Sequence, residues 1–216
     1  MSVEPAKPSP EAPRRAIRRT RRGDERCEQI RAAATELFLK HGYDGVSVDE
    51  IVRTVGGSKT NVYNYFRNKE GLFAAVVKGL TEEFLASFVA IDLSGLGLEA
   101  GLRRLAIALL DVLLQERHLA SQRLLIAEAA RFPALGRAWF ESGPERSRSI
   151  IAQFIEQQQR AGRLRRTDPH QSATLFHDMV AFDLLYRAML VRKPRDDEMR
   201  QRIEAAIEVF LHAFAR

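Results

Sequence analysis

Residues 46–73 read VSVDEIVRTVGGSKTNVYNYFRNKEGLF, and two short helical patterns in this stretch meet at a pair of glycines. The first pattern opens with Ser47 and Glu50, which have the capping-box spacing that starts a helix. Its apolar residues then recur on one face of a short helix. They are Val48, Ile51, Val52 and Val55.

The glycine pair, Gly56 and Gly57, predicts a sharp turn because glycine adopts positive φ without strain. Ser58 is predicted to cap the next helix, in which only Val62 and Phe66 have inward spacing. The outward residues carry amines, amides, hydroxyls and phenols: Lys59, Thr60, Asn61, Tyr63, Asn64 and Tyr65. Such side chains suit base edges and phosphates, so the pattern favours a helix-turn-helix that reads DNA.

The stretch from Arg26 to Lys78 resembles the DNA-binding domain of the TetR/AcrR transcriptional regulators. The resemblance is carried by AAATELF, HGYDGVSVDEI and GGSKTNVYNYFRNKEGLF at the family's spacing. Gly57 stands where the family usually has a valine that anchors the turn, which predicts a looser turn. Thr60 and Asn61 replace the frequent Gly-Thr or Ala-Thr pair, so the operator sequence does not carry over from relatives. Further along, RFPALGRAWFESGPERS resembles the AefR-type effector domains.

The DNA contacts that we expect divide into phosphates and bases. Phosphate contacts are predicted for Ser47, Tyr63, Tyr65 and Lys69, with Asn61 as an addition. Base contacts are predicted for Lys59 and Thr60, with Asn64 at the margin. A lysine can donate to guanine O6 and N7, and a threonine methyl group can pack on a thymine methyl group. Lys69 falls on the first turn of its helix, where the helix N-terminus favours an anion.

Most of the net positive charge lies at the start of the chain. The formal net charge is +6, and residues 1–23 hold seven basic residues against two acidic ones, a net +5. These residues are also rich in proline and lack apolar periodicity, so we predict a disordered basic arm. It is either a solubilising tail or an extension that lies along DNA phosphates or in the minor groove.

The rest of the chain has helical periodicity divided by breakers, without sustained strand alternation. Asn68 is predicted to cap a connecting helix to about Val89, and Asp168 followed by Pro169 is a strong helix start. With 216 residues and 45% hydrophobic content, the chain can bury a sizeable core. We therefore predict an all-α fold, with a three-helix helix-turn-helix domain over 24–78 and a helical-bundle ligand-binding and dimerisation domain over 79–216.

The last two predicted helices run from Asp168 to about Val191 and from Asp196 to Phe214. Both are apolar over a broad arc, which is typical of helices that pack against their own core and against a twin. Leu184 and Phe210 are predicted to lie at the dimer seam or in the core. The family resemblance implies a homodimer through the same two helices. A two-fold dimer doubles the contacts of one short recognition helix and matches a palindromic operator.

The candidate ligand-binding residues are large and apolar or aromatic, and each is also a plausible core residue. They are Phe132, Trp139, Phe140, Phe176, Met179, Phe182 and Tyr186. As a set they weakly favour an apolar or aromatic effector. Asp178 and Asp183, near His177, are interpreted as a polar pair in the pocket or interface.

Catalytic and cofactor motifs are missing from the sequence. There is no GxSxG, GxxxxGK[ST], HExxH or CxxC, so we expect neither an enzyme nor a cofactor or metal. Cys27 is the only cysteine, which excludes an internal disulfide and fits a reducing cytoplasm. It lies on the apolar face of the first helix and is interpreted as a packing residue. No long apolar run or secretory signal occurs, so a soluble, cytoplasmic protein is expected.

These patterns together predict a ligand-responsive transcriptional regulator. It is expected to repress by binding double-stranded operator DNA as a homodimer, and to be released by a small apolar or aromatic effector. The alternative is an architectural nucleic-acid-binding protein that uses the basic arm and recognises no defined operator.

Overall fold

The structure is a computed structural model that describes residues 21–216. The basic arm predicted for residues 1–23 therefore lies outside the described residues, except for its last three. Those three residues belong to the first helix instead of the arm, since α1 begins at Arg21.

Ten helices make up the regular structure of residues 21–216. The first four are α1 (Arg21–His41), α2 (Val48–Val55), α3 (Lys59–Phe66) and α4 (Lys69–Val89). The next three are α5 (Leu98–Leu113), α6 (Glu116–Glu128) and α7 (Pro133–Ser142). The last three are α8 (Pro144–Arg160), α9 (Pro169–Leu190) and α10 (Asp196–Phe214). This part of the chain has no strand, and its one isolated bridge joins Leu164 to Ala215, so the all-α prediction is confirmed.

Side-chain caps start three of the helices where the sequence predicted them. Ser47 Oγ accepts from the Glu50 amide at 3.1 Å, and Asn68 Oδ1 accepts from the Gly71 amide at 2.8 Å. Asp168 accepts from two amides at the start of α9. Ser58 is the N-cap residue of α3, as predicted, with an extended backbone, but its side chain makes no cap hydrogen bond.

Helix α4 is shared by the two halves of the molecule. Its first turns bury Leu72, Phe73 and Val76, and these turns pack against α1 and α3. Its later turns bury Leu80, Phe84 and Phe88, in contact with α5 to α8. One uninterrupted helix therefore connects the helix-turn-helix with the C-terminal helices. Cys27 is partly buried and packs against the core, as predicted.

Helix α9 is apolar on two opposite faces. Its inner face packs against α5, α8 and α10 and includes Leu184, while Phe210 of α10 is fully buried beside it. Leu184 and Phe210 are therefore core residues, which decides between the two places predicted for them. The outer face of α9 instead exposes other large apolar side chains, which are described below.

Candidate DNA interface and ligand cavity

The outward face of α3 is a small polar surface on a buried apolar support. Val62 and Phe66 point into the core and fix the helix, as their spacing predicted. Lys59, Thr60, Tyr63 and Asn64 are exposed, and Ser47 lies exposed at the start of α2. Amine, hydroxyl, phenol and amide groups are thus presented together, and these groups can contact both bases and phosphates.

Three of the predicted DNA-contacting residues are less accessible. Asn61 is half-buried, and the Tyr65 ring packs against the core and lies edge-on to Phe66 at 6.3 Å. Lys69 Nζ lies 4.2 Å from the centroid of the Tyr43 ring, so the ammonium group is held on an aromatic face. Burial lowers the pKa of Lys69.

Lys59 has an ionic partner within the helix-turn-helix. Its Nζ lies 2.8 Å from Asp49 Oδ1 of α2, and hydrogen bonding to this carboxylate raises the pKa of Lys59. Both side chains are more than half exposed, so the pair is screened by water and can open at low cost. Sequence reasoning missed Asp49, because the two residues lie ten positions apart on different helices.

A side chain of α1 stabilises the turn between α2 and α3 through hydrogen bonds. Gly56 and Gly57 both have positive φ, as predicted. Arg26 Nη1 donates to the Val55 carbonyl oxygen at 2.9 Å, and Arg26 Nη2 donates to the Gly56 carbonyl oxygen. A Cβ at position 57 would lie 2.5 Å from Arg26 Nη2. The missing valine is therefore offset by an arginine that holds the turn through its backbone, and the positive φ of Gly57 favours glycine at this position.

An apolar cavity of about 270 Å³ lies among α4, α5, α6, α7, α8 and α9. Its walls include Phe84 and Phe88 of α4 and Leu109 and Leu113 of α5. Polar lining groups come from α6, α8 and α9: His118, Gln122, Ser147, Arg148, His177 and Asp178. A mostly apolar enclosure with a few polar groups is the usual form of a small-molecule site.

Four of the seven predicted ligand-binding residues line this cavity: Trp139, Phe140, Phe182 and Tyr186. The other three lie elsewhere. Phe176 is fully buried in the core, 5.3 Å from the Phe210 ring, and Met179 packs against the same core. Phe132 contacts Tyr43 at 5.0 Å and Phe73 at 5.8 Å.

Asp178 and Asp183 do not form the polar pair that the sequence suggested. Asp178 lines the cavity, accepting from His177 Nδ1 at 2.8 Å and from Arg148 at 3.2 Å, and hydrogen bonding to His177 lowers its pKa. Asp183 instead accepts from Arg187 and from Arg202 of α10. Five residues along a helix place them on different sides of α9.

The C-terminal half of the chain also contacts the helix-turn-helix directly. Arg131 Nη1 lies 2.7 Å from Asp44 Oδ1, and its guanidinium carbon lies 4.9 Å from the centroid of Tyr43. Tyr43 in turn contacts Phe132, Phe73 and Lys69. We call Tyr43, Lys69, Phe73, Arg131 and Phe132 the Tyr43 cluster. It joins the start of α7, which carries Trp139 and Phe140, to the turn that precedes α2.

Family comparisons agree with both halves of this architecture. Residues 30–76 match the model for bacterial regulatory proteins of the tetR family. Residues 100–216, more than half of the chain, match the model for the C-terminal domain of AefR-like transcriptional repressors. The chain belongs to the TetR family of transcriptional regulators.

Similar proteins include both solved structures and a curated repressor. A TetR-family regulator from Mesorhizobium loti is 32% identical with a TM-score of 0.80, covering 91% of this chain and 100% of its own. The flavonoid-responsive regulator FrrA is also 32% identical, with a TM-score of 0.78, covering 89% of this chain and 98% of its own. The transcriptional repressor Rv1474c from Mycobacterium tuberculosis is 26% identical, over 88% of this chain and 94% of its own.

This TetR-family protein is a DNA-binding transcriptional regulator and not an enzyme. Members of the family bind DNA through the helix-turn-helix, here α2 and α3. Within residues 21–216, no helix combines the length and apolarity needed to cross a membrane.

Proposed function

We propose that this TetR-family regulator is a cytoplasmic, ligand-responsive repressor that binds a palindromic operator as a homodimer. The observation that carries the proposal is the connection between the exposed polar face of α3 and the apolar cavity. Helix α4 supplies lining residues of the cavity and packs against α3, so a change in the cavity has a short physical route to the DNA-reading surface.

In this proposal, Lys59 and Thr60 contact bases, with Asn64 at the margin, while Ser47 and Tyr63 contact phosphates. All five are accessible without rearrangement. Lys59 exchanges its ion pair with Asp49 for a base on binding. Asn61, Tyr65 and Lys69 contact phosphates at the edge of the surface, where Lys69 must leave the Tyr43 ring to extend towards DNA.

The proposed homodimer uses the last two helices, with Val209 of α10, 56% exposed, and the outer face of α9. Leu175, Phe182, Tyr186 and Leu190 recur at spacings of seven, four and four and leave 50%, 60%, 46% and 76% of their surface exposed. We call these four residues the α9 stripe. A continuous exposed stripe of this kind marks a protein interface. Phe182 and Tyr186 also line the cavity, so a twin docked here would cover one side of it.

Induction follows from ligand binding in the cavity. A ligand that contacts Phe84 and Phe88 of α4 and Trp139 of α7 favours a different position of both helices. Helix α4 transmits the change to α3, and the Tyr43 cluster transmits it to the turn before α2. A few kcal/mol of differential affinity between the two states is sufficient.

An aromatic effector is supported by the lining and by one relative. Trp139, Phe140, Phe182 and Tyr186 offer aromatic faces to a flat ring. FrrA, at 32% identity over nearly its whole length, is a flavonoid-responsive regulator. For this chain we propose a ring-containing small molecule as the effector.

Selection of bound duplexes from a random-sequence DNA pool tests the regulator against the architectural alternative. The purified dimer should enrich a two-fold symmetric sequence, and transcription from a promoter that carries this sequence should fall when the protein is added. Recovery of duplexes without any common sequence would favour an architectural protein instead.

A further inference from the structure

Two buried nitrogen atoms among the cavity-lining residues have no hydrogen-bond partner within residues 21–216. They are His118 Nδ1 and Arg148 Nε. His118 is only 6% exposed, and the Arg148 side chain is 15% exposed, so both nitrogen atoms are shielded from bulk solvent. An unsatisfied buried polar group is costly, and both belong to residues that line the same apolar cavity.

The remaining polar atoms of these two side chains are already engaged. The other ring nitrogen of His118, Nε2, lies 3.0 Å from Gln122 Nε2. With the amide donating, the ring proton is on Nδ1, and Nδ1 requires an acceptor. The two terminal nitrogens of Arg148 contact Glu145 at 3.4 Å and Asp178 at 3.2 Å, and only Nε remains.

We propose that the effector is a neutral aromatic molecule with a hydroxyl group whose oxygen accepts a hydrogen bond from Arg148 Nε, His118 Nδ1 or both. This inference rests on the ligand-binding role proposed above for the cavity. A hydroxyl group satisfies His118 Nδ1 in either ring tautomer, because it both accepts and donates. The hydroxyl group can also donate a hydrogen bond to the half-exposed carboxylate of Asp178.

The charges around Arg148 favour a neutral ligand over an anion. Glu145 and Asp178 already balance the guanidinium charge. A ligand carboxylate would lie near Asp178 and be repelled by it. Burial lowers the pKa of His118 to about 4, so this ring supplies no compensating positive charge at neutral pH.

The volume sets the size of the ligand. An apolar cavity of roughly 150 Å³ holds benzene, so the 270 Å³ here suits a molecule of about two rings. Phe140 lies beside the polar group, with the guanidinium carbon of Arg148 5.5 Å from its ring centroid. A ring packed on Phe140 would therefore have a substituent within reach of Arg148.

Equilibrium dialysis of the full chain at pH 7 against 2-naphthol, naphthalene and 2-naphthoate tests the proposal. These probes share the ring system and differ in the polar group. We expect 2-naphthol to bind about tenfold more tightly than naphthalene, the effect of one or two hydrogen bonds to buried donors. We also expect it to bind more tightly than 2-naphthoate.

Substitution of Arg148 assigns the preference to a residue. Where Arg148 Nε is the donor, Arg148→Met loses the preference for 2-naphthol over naphthalene while it keeps naphthalene binding, which also shows that the variant folds. Where His118 Nδ1 is the donor, His118→Phe loses the preference instead. Arg160→Met is the matched control, because Arg160 lies on the same helix but outside the cavity lining. It should leave all three affinities unchanged.

The outcomes separate this inference from the proposed ligand site. Equal binding of 2-naphthol and naphthalene, or tighter binding of 2-naphthoate, would overturn the neutral hydroxyl group while leaving an aromatic site in place. Retention of the 2-naphthol preference in both Arg148→Met and His118→Phe, which removes the ring nitrogens and keeps an aromatic ring beside Phe84, would overturn the assigned donors. Binding of none of the probes would overturn the aromatic ligand site itself.

Discussion

At the scale of single residues, the most specific proposal is that Lys59 contacts a base of the operator. Lys59→Ala should weaken binding to the selected operator by roughly tenfold to a hundredfold, because a base contact is lost. Binding to a scrambled duplex should change much less. Gel-shift titration of both duplexes measures the two losses, and equal losses would contradict base reading by Lys59.

Substitution of Asp49, the ionic partner of Lys59, complements the Lys59→Ala titration. Since Asp49 holds Lys59 in an ion pair, Asp49→Asn releases the lysine and removes a negative charge from the DNA-facing surface. Affinity for operator and scrambled duplexes should therefore rise together.

The lowered pKa of the buried His118 ring makes the free energy of unfolding depend on pH. Its pKa falls from 6.5 to about 4 on burial, so the folded chain resists protonation that the unfolded chain accepts. As pH decreases from 6.5 to 4, the unfolded state gains protons and folding should weaken by up to about 3 kcal/mol. Urea unfolding at several pH values measures this, and His118→Gln should flatten the dependence in that window.

The effect of Glu198 on stability appears at lower pH and can be separated from that of His118. Hydrogen bonding to Arg192 lowers the pKa of Glu198 to about 2 from 4.5, so its contribution is lost only below about pH 4.5. An unchanged slope between pH 6.5 and 4 in His118→Gln would contradict the buried neutral imidazole.

Residue-scale prediction from sequence succeeded where the partner is close along the chain. The caps by Ser47, Asn68 and Asp168 bond amides two or three positions away, and local spacing reveals such contacts. Arg26 was missed because its partners, Val55 and Gly56, lie 29 and 30 residues away. No local pattern indicates a contact of that separation.

At the scale of elements, the turn between α2 and α3 depends on Arg26. Arg26→Ala removes its donors from the Val55 and Gly56 carbonyl groups and should lower the free energy of unfolding by about 1–2 kcal/mol. Operator affinity should fall as well, because α3 loses its fixed orientation. Arg21→Ala is the control, since Arg21 on the same helix makes an exposed pair with Glu25. Equal effects of the two variants in urea unfolding and gel shift would contradict the anchoring role.

The α9 stripe predicts a dimer that can be broken without unfolding the chain. Leu175→Glu places a charge on a position that is half exposed in the single chain and outside the cavity lining, so the fold should survive and the dimer should dissociate. Sedimentation should show a wild-type dimer at micromolar concentration and a monomeric variant. Ile126→Glu is the control, because Ile126 is a similarly exposed apolar residue, 59% against 50% for Leu175, but lies on α6. A dimeric Leu175→Glu would exclude this face.

In helix α9, the spacing of apolar residues does not distinguish core residues from cavity residues. Phe176 and Phe182 are both large and aromatic, but only Phe182 lines the cavity. Because α9 is apolar on two faces, its sequence alone does not indicate which face meets the core and which meets the cavity. The α4 residues Phe84 and Phe88 were missed because the buried face of α4 serves both the helix-turn-helix core and the cavity, and spacing alone does not show where one ends and the other begins.

At the scale of the whole molecule, the helix-turn-helix and the apolar cavity are connected by structural elements that contact both of them. Helix α4 runs from Lys69 beside the helix-turn-helix to Phe88 at the cavity. The Tyr43 cluster gives a second contact, from α7 to the turn before α2. The connecting helix was predicted from its cap at Asn68, whereas the Tyr43 cluster joins residues that lie far apart in the chain and was not predicted.

Reciprocal linkage tests the central claim most directly. Operator affinity should be measured with and without a phenol that saturates the cavity, and phenol affinity, read from Trp139, with and without operator. Trp139 is the only tryptophan and lines the cavity. The account predicts that each ligand weakens the other by the same factor, roughly 5-fold to 150-fold. A phenol that occupies the cavity and leaves operator affinity unchanged would contradict it.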